Sequence, residues 1–213
     1  MNKPMGAYLV TQSNRSRGRS TREIVDAAID GGVDVVQLRE KHATARERYA
    51  LARDIRKRTW DADVTFVVND RVDTAVAVGA DGVHLGDDDL PVGVARDILG
   101  PDALVGRSVS TVEGARAAVD AGADYLGVGA VFETSSKETA EEETEIGLET
   151  VESVANAVDV PVVAIGGITP ENAEDVVAAG ADGVAVVSAI TAADDPAAAT
   201  RELAAAVERG GGR

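Results

Sequence analysis

The sequence predicts an α/β fold, a single (β/α)8 TIM barrel, and three observations carry that prediction. Short apolar runs alternate with longer segments of helical period along all 213 residues, eight of each and none missing. Most of the runs are apolar without alternation, as parallel strands covered on both faces must be. A junction of Gly-x-Asp before an apolar strand recurs at Gly32-Val33-Asp34, Gly79-Ala80-Asp81, Gly122-Ala123-Asp124 and Gly180-Ala181-Asp182. There glycine supplies a left-handed helix terminus, and a short loop returns the chain to the next strand. An open doubly wound sheet is the competing arrangement. Its dinucleotide fingerprint is missing after the first strand, where Thr11-Gln12-Ser13-Asn14-Arg15 stands instead of a glycine-rich turn.

In chain order, an apolar strand at residues 7–10 is followed by a loop at 12–20 that carries three arginines, and by a helix at 21–30. Strand 33–38 leads to helix 44–59, strand 64–68 to helix 72–78, and strand 82–85 to helix 92–99. Strand 103–106 precedes helix 112–121, and strand 125–128 precedes a polar, acidic loop at 132–145 and helix 146–157. Strand 162–165 leads to helix 170–179 and strand 183–187 to helix 196–209, with Pro170 and Pro196 where helix starts favour proline. Both long loops follow strands, on the face where barrels place their sites, so they are candidate lids or plain surface loops. One domain over residues 1–213 is expected, with its active site at the carboxyl ends of the strands.

Hydrophobic residues make up 45% of the chain and aromatics only 3%, so the core must be built from Val, Ala, Leu and Ile through many small contacts. Without cysteine, disulfides, thiolate metal sites and a cysteine nucleophile are excluded. No signal pattern is present and no apolar stretch approaches the ~20 residues that cross a bilayer, so a cytoplasmic protein without a membrane partner is expected. The formal charge of −16 makes nucleic acid an unsuitable partner. Four lysines (Lys3, Lys41, Lys57 and Lys137) stand beside seventeen arginines, 21 basic residues in all. So acidic and lysine-poor a composition suits a saline cytosol, where salt screens self-repulsion.

Polar residues gather at the carboxyl ends of the predicted strands. Gln37, Arg39 and Lys41 alternate after Val33 to Val36, so an extended backbone would send all three to one side, as an anion clamp for a phosphate or pyrophosphate. A solvated strand end with surface ion pairs is the plain alternative. Asn69 and Asp70 follow strand three, Gly86 and Asp87-Asp88-Asp89 strand four, Ser108 strand five, and Thr134, Ser135, Ser136 and Lys137 strand six. Gly166-Gly167 and Val187-Ser188 follow the last two strands, where this architecture holds phosphate on bare amides. Asp70 and Asp89, after neighbouring strands, suit Mg2+ shared with phosphate oxygens. Capping of the helix at Val72 is the other reading of Asp70. With only two histidines, His42 and His84, the sequence offers little for a histidine triad or metal cluster, and His84 reads as a core or supporting residue.

These residues resemble the thiamine-phosphate synthase (thiamine phosphate pyrophosphorylase) family over nearly the whole chain. The carriers are Tyr8-Leu9-Val10-Thr11, Gln37-Leu38-Arg39-Glu40-Lys41, Val68-Asn69-Asp70 and Gly82-Val83-His84-Leu85-Gly86 with Asp89. Thr134 to Lys137, Ile165-Gly166-Gly167-Ile168-Thr169 and Val187-Ser188-Ala189-Ile190 complete the set. Two departures stand out: Ala130-Val131-Phe132-Glu133 replaces a proline-rich approach to Thr134, and Ser136 replaces a second threonine while keeping a hydroxyl.

The resemblance implies that hydroxymethylpyrimidine diphosphate loses pyrophosphate by ionisation and that a thiazole phosphate nitrogen takes its place, giving thiamine monophosphate. It implies Gln37, Arg39, Lys41, Asn69, Ser108 and Lys137 as pyrimidine diphosphate ligands, with Arg39, Lys41, Ser108 and Lys137 catalytic. Asp70 and Asp89 would hold one Mg2+ per subunit, and Thr134, Ser135, Ser136, Gly167, Val187 and Ser188 the thiazole phosphate. The expected partners are small-molecule phosphates and diphosphates, and a homo-oligomer stays open. The rival functions are a thiazole tautomerase-type barrel, a Schiff-base aldolase using Lys41 or Lys137, and a phosphate binder without catalysis.

Overall fold

The computed structural model describes residues 5–134 and 145–211. Eight parallel strands close into a barrel in sequence order: β1 (Gly6–Val10), β2 (Val35–Leu38), β3 (Thr65–Asn69), β4 (Gly82–Leu85), β5 (Leu104–Val109), β6 (Tyr125–Val128), β7 (Val162–Ile165) and β8 (Gly183–Val186). Closure comes from β8 pairing with β1, with Gly6 opposite Gly183 and Leu9 opposite Val186. Helices α1 (Thr21–Asp30), α2 (Ala45–Asp61), α3 (Val72–Val78), α4 (Val92–Leu99), α5 (Val112–Asp120), α6 (Gly147–Ala155) and α7 (Ala173–Ala178) separate the strands, and α8 (Ser188–Thr191) and α9 (Pro196–Gly210) follow β8. Among the described residues, no helix is long and apolar enough to cross a membrane.

Strand residues alternate between two cores, because successive side chains leave opposite faces of the barrel wall. Outward residues such as Leu9, Val36, Phe66, Val83 and Leu126 join the apolar faces of the helices in one cluster. Inward residues, including Tyr8, Val10, Val35, Val67, Tyr125 and Val163, form a smaller cluster inside the barrel. Helix starts are set locally: Ser20 with Glu23 and Thr44 with Glu47 form reciprocal capping boxes before α1 and α2. Asp195 caps α9, whose first residue is Pro196.

The recurring Gly-x-Asp junction has a second purpose beyond turning the chain. Its aspartates each accept a backbone N–H from the preceding strand: Asp34 from Ala7 (2.8 Å), Asp81 from Phe66 (2.8 Å), Asp124 from Val105 (2.7 Å) and Asp182 from Val162 (2.8 Å). The amino-end rim of the barrel is thereby stitched at every second strand pair. The glycines two residues earlier take the left-handed conformation, with φ of 83, 63, 96 and 107° at Gly32, Gly79, Gly122 and Gly180.

Several expected boundaries move. β2 begins at Val35 because Asp34 is occupied with β1, and β5 runs on to Val109, so Ser108 is a strand residue rather than a loop residue. Pro170 does not begin α7: residues 170–172 form a turn in which Asn172 Oδ1 accepts the Thr169 N–H and Asn172 Nδ2 donates to the Gly167 carbonyl. The single helical turn of α8 was not foreseen, since four residues carry no period.

Candidate active site

A cavity of about 480 Å3 occupies the barrel at the carboxyl ends of the strands. Gln37, Arg39, Asn69 and Ser108 line one part of it, and Thr134, Gly167, Val187 and Ser188 another. Part of its polar lining is a set of side chains bonded to one another. Gln37 Nε2 donates to the Tyr8 hydroxyl (2.6 Å), which lies 3.1 Å from the Tyr125 hydroxyl. Tyr125 in turn meets His84 Nδ1 at 3.1 Å, and His84 Nε2 meets Ser108 Oγ at 2.9 Å. Burial pushes the Tyr8 hydroxyl up to about 12 and holds Tyr125 well above the ordinary phenol range, so both remain protonated at neutral pH.

Two glycines make room for these rings. A Cβ at Gly106 would fall 2.1 Å from Tyr125 Cζ, and one at Gly127 would fall 2.8 Å from His84 Cε1. Tyr8, Tyr125 and His84 were not among the expected ligands. Their signal was scarcity: a chain with three tyrosines and two histidines places two tyrosines and one histidine inside its barrel.

Gln37 and Arg39 reach the cavity, but Lys41 does not. β2 ends at Leu38, so strand alternation no longer governs residue 41, which is exposed in the turn beyond. A Schiff base on Lys41 would therefore form outside the cavity. Glu40 is buried, accepting from Ser13 N–H (3.1 Å) and the Thr21 hydroxyl (2.8 Å). It ties the loop after β1 to the start of α1. Arg17 and Arg19 fasten the same loop to the end of α8 and the stretch after it, through the carbonyls of Thr191, Ala192 and Asp194. That loop is strapped down on both sides rather than hanging as a lid.

Asp70 does not cap α3: the residue at the cap is Arg71, without a side-chain cap bond. Asp70 has a positive φ of 67° and an exposed side chain at the rim, where it meets Asp89. Its carboxyl is held above the usual carboxylate range, first by the desolvating surroundings and then by the Asp89 charge and a hydrogen bond to it. Asp89 Oδ2 accepts the Gly86 N–H (2.6 Å), and Arg107, unnoticed in the sequence, braces that turn through the Gly86 carbonyl and Asp87. Two hard oxygen donors that repel each other fit a divalent cation such as Mg2+. Among the described residues no third acidic or histidine side chain joins them, so water and substrate oxygens would complete the shell.

On the opposite side, Gly166 and Gly167 have φ of 106 and 64°. A Cβ at Gly166 would lie 2.6 Å from Ala130 Cα, and one at Gly167 would lie 2.7 Å from the Glu133 carbonyl oxygen. Close passage of the chain after β6 thus requires this pair, a reason distinct from the anion approach that the sequence suggested. Val187 and Ser188 lead into α8 beside them. Ser135, Ser136 and Lys137 lie outside the described residues, as does Glu141-Glu142-Glu143.

A family model described as thiamine monophosphate synthase matches residues 7–190. The chain is 64% identical over 208 residues to a thiamine-phosphate synthase of Haloquadratum walsbyi, covering 98% of this chain and 93% of that one. It is 66% identical over 204 residues to its counterpart in Haloarcula marismortui, covering 95% and 97%. A solved thiamine phosphate pyrophosphorylase from Pyrococcus furiosus superposes with a TM-score of 0.88 at 41% identity, covering 97% of this chain and 96% of that one. A 3-hexulose-6-phosphate synthase at 19% identity and a TM-score of 0.69 shares the fold alone.

Proposed function

Because the chain belongs to the thiamine monophosphate synthase family, we propose that it condenses hydroxymethylpyrimidine diphosphate with a thiazole phosphate, releasing pyrophosphate and thiamine monophosphate. The observation that carries this reading is the meeting of Arg39, Asn69 and Ser108 in one cavity, with the Asp70–Asp89 pair at its rim. Arg39 brings a fixed positive charge to the diphosphate, and its position is held by its own N–H on Thr11 Oγ1 (3.0 Å) and its guanidinium on Gln12 Oε1 (3.4 Å). Gln37, Asn69 and Ser108 orient the pyrimidine diphosphate, while Lys41 and Lys137 add positive charge to its binding.

Asp70 and Asp89 would hold Mg2+, which would supply positive charge to offset that of the diphosphate. The residues' task is to stabilise the departing anion and to keep the thiazole in line, which suits dissociative departure of pyrophosphate. Thr134, Ser135, Ser136, Gly167, Val187 and Ser188 grip the thiazole phosphate. Apolar residues Val10, Val163 and Ile165 line the same cavity and would help to exclude water from it. The acidic, lysine-poor surface adapts the enzyme to high salt, a reading supported by relatives from halophilic archaea. If the fold melts at one temperature in dilute and molar salt, that adaptation is wrong.

Incubation with both substrates and Mg2+ at molar salt is expected to yield thiamine monophosphate. No product at either low or high salt, with the protein folded, would overturn the assignment.

A further inference from the structure

We propose that Gln37, Tyr8, Tyr125 and His84 form a one-way hydrogen-bond chain whose purpose is to leave the Ser108 hydroxyl proton free to donate to a diphosphate in the cavity. The inference rests on the diphosphate chemistry proposed above, and it assigns Tyr8 and Tyr125 as positioning residues.

With the Gln37 NH2 turned towards Tyr8, the direction follows from counting protons. An amide NH2 only donates, so the Tyr8 oxygen accepts from Gln37 Nε2 at 2.6 Å. Tyr8 is 1% exposed and its hydroxyl has one proton, which needs a buried acceptor; the Tyr125 oxygen at 3.1 Å supplies it. Tyr125, also 1% exposed, must then pass its own proton to His84 Nδ1 at 3.1 Å. That fixes the neutral imidazole with its hydrogen on Nε2, which donates to Ser108 Oγ at 2.9 Å. Among the described residues Ser108 makes no other side-chain hydrogen bond, and it lines the cavity. Its proton is therefore the open end of the chain.

Polarity matters because the chain could run only one other way. With the Gln37 amide turned over, every bond reverses, His84 carries its hydrogen on Nδ1, and Ser108 spends its proton on His84 Nε2. Ser108 would then present lone pairs to the cavity and repel an anion. Burial that keeps both phenols protonated prevents the chain from adapting by ionising. Each link also polarises the next, so the terminal hydroxyl donates more strongly than an isolated serine would.

Two measurements on the full-length protein test this. Histidine side-chain 15N NMR, with His42→Gln used to isolate His84, is expected to show the Nε2–H tautomer; the Nδ1–H tautomer would overturn the inference whether or not the enzyme turns over. Calorimetric titration with inorganic pyrophosphate and Mg2+ then tests the coupling. Tyr125→Phe and Ser108→Ala are each expected to weaken binding about 5- to 10-fold, and the double variant no more than Ser108→Ala alone. Additive losses, or no pyrophosphate binding by the unaltered protein, would overturn it. If pyrophosphate binds with the expected coupling but no thiamine monophosphate forms, the functional assignment fails and the chain polarity stands.

Discussion

Asp34 is bonded twice to Ala7: its carboxylate accepts the Ala7 N–H at 2.8 Å, and its own N–H donates to the Ala7 carbonyl at 2.9 Å. The same pair of bonds links Asp81 to Phe66, Asp124 to Val105 and Asp182 to Val162. Each clamp fixes the register of a strand pair at the rim opposite the cavity, so the geometry of the site is inherited from four aspartates that never touch it.

Removing a clamp orphans a buried backbone donor. Asp34→Ala is expected to cost about 1–3 kcal/mol in urea unfolding. The Asp34 carboxyl titrates above its usual range, chiefly through burial and further through the Glu208 charge, against the pull of the Ala7 bond. A folded state that keeps its proton to higher pH has that stability in full below the unfolded pKa and loses it as pH rises through the raised value. The penalty of Asp34→Ala should therefore be larger near about pH 4 than at neutrality; a penalty that grows with pH would contradict this.

Alkaline unfolding should report Tyr8. Its hydroxyl ionises at about 12 when folded against a model value of 10.0, so the unfolded chain releases the proton first and stability falls between those values. Tyr8 accounts for about 2–3 kcal/mol of that fall. Tyr8→Phe should flatten the alkaline limb of a pH–stability curve, read by circular dichroism in urea.

Glycines around the polar chain should tolerate nothing larger. Gly106→Ala puts a methyl 2.1 Å from Tyr125 Cζ and should destabilise the fold by about 1–3 kcal/mol or more. Gly93→Ala, on α4 with nothing within 4 Å of the added atom, should instead stabilise it by about 0.5–1 kcal/mol. Equal melting shifts for the two would contradict the packing argument.

Asp89→Ala and Lys137→Ala should each lower turnover by about 10²-fold or more with unchanged circular dichroism. Asp70→Asn should raise the melting temperature in chelator, because it relieves the repulsion from Asp89 and the partial desolvation of a charge, and should abolish any stabilisation by Mg2+.

Alternation of apolar strands and periodic helices made the barrel legible, since both signals are local. The cavity lining was legible at Gln37, Asn69 and Gly167, which lie in or just past the carboxyl ends of their strands. Lys41 falls outside the cavity lining, because a pattern of alternation cannot show where the strand stops, and β2 stops at Leu38. Glu40 and Arg107 were missed because their partners, Ser13, Thr21 and Gly86, come from other elements. The Tyr8–Tyr125 pair was hidden for the same reason, its members being 117 positions apart.

The most direct test of the account is to measure thiamine monophosphate and pyrophosphate together, from both substrates at molar salt, with Mg2+ and then with excess chelator. Equal amounts of the two products, lost on chelation and restored by Mg2+, are predicted. Undiminished product in chelator, or pyrophosphate release without thiamine monophosphate, would contradict it.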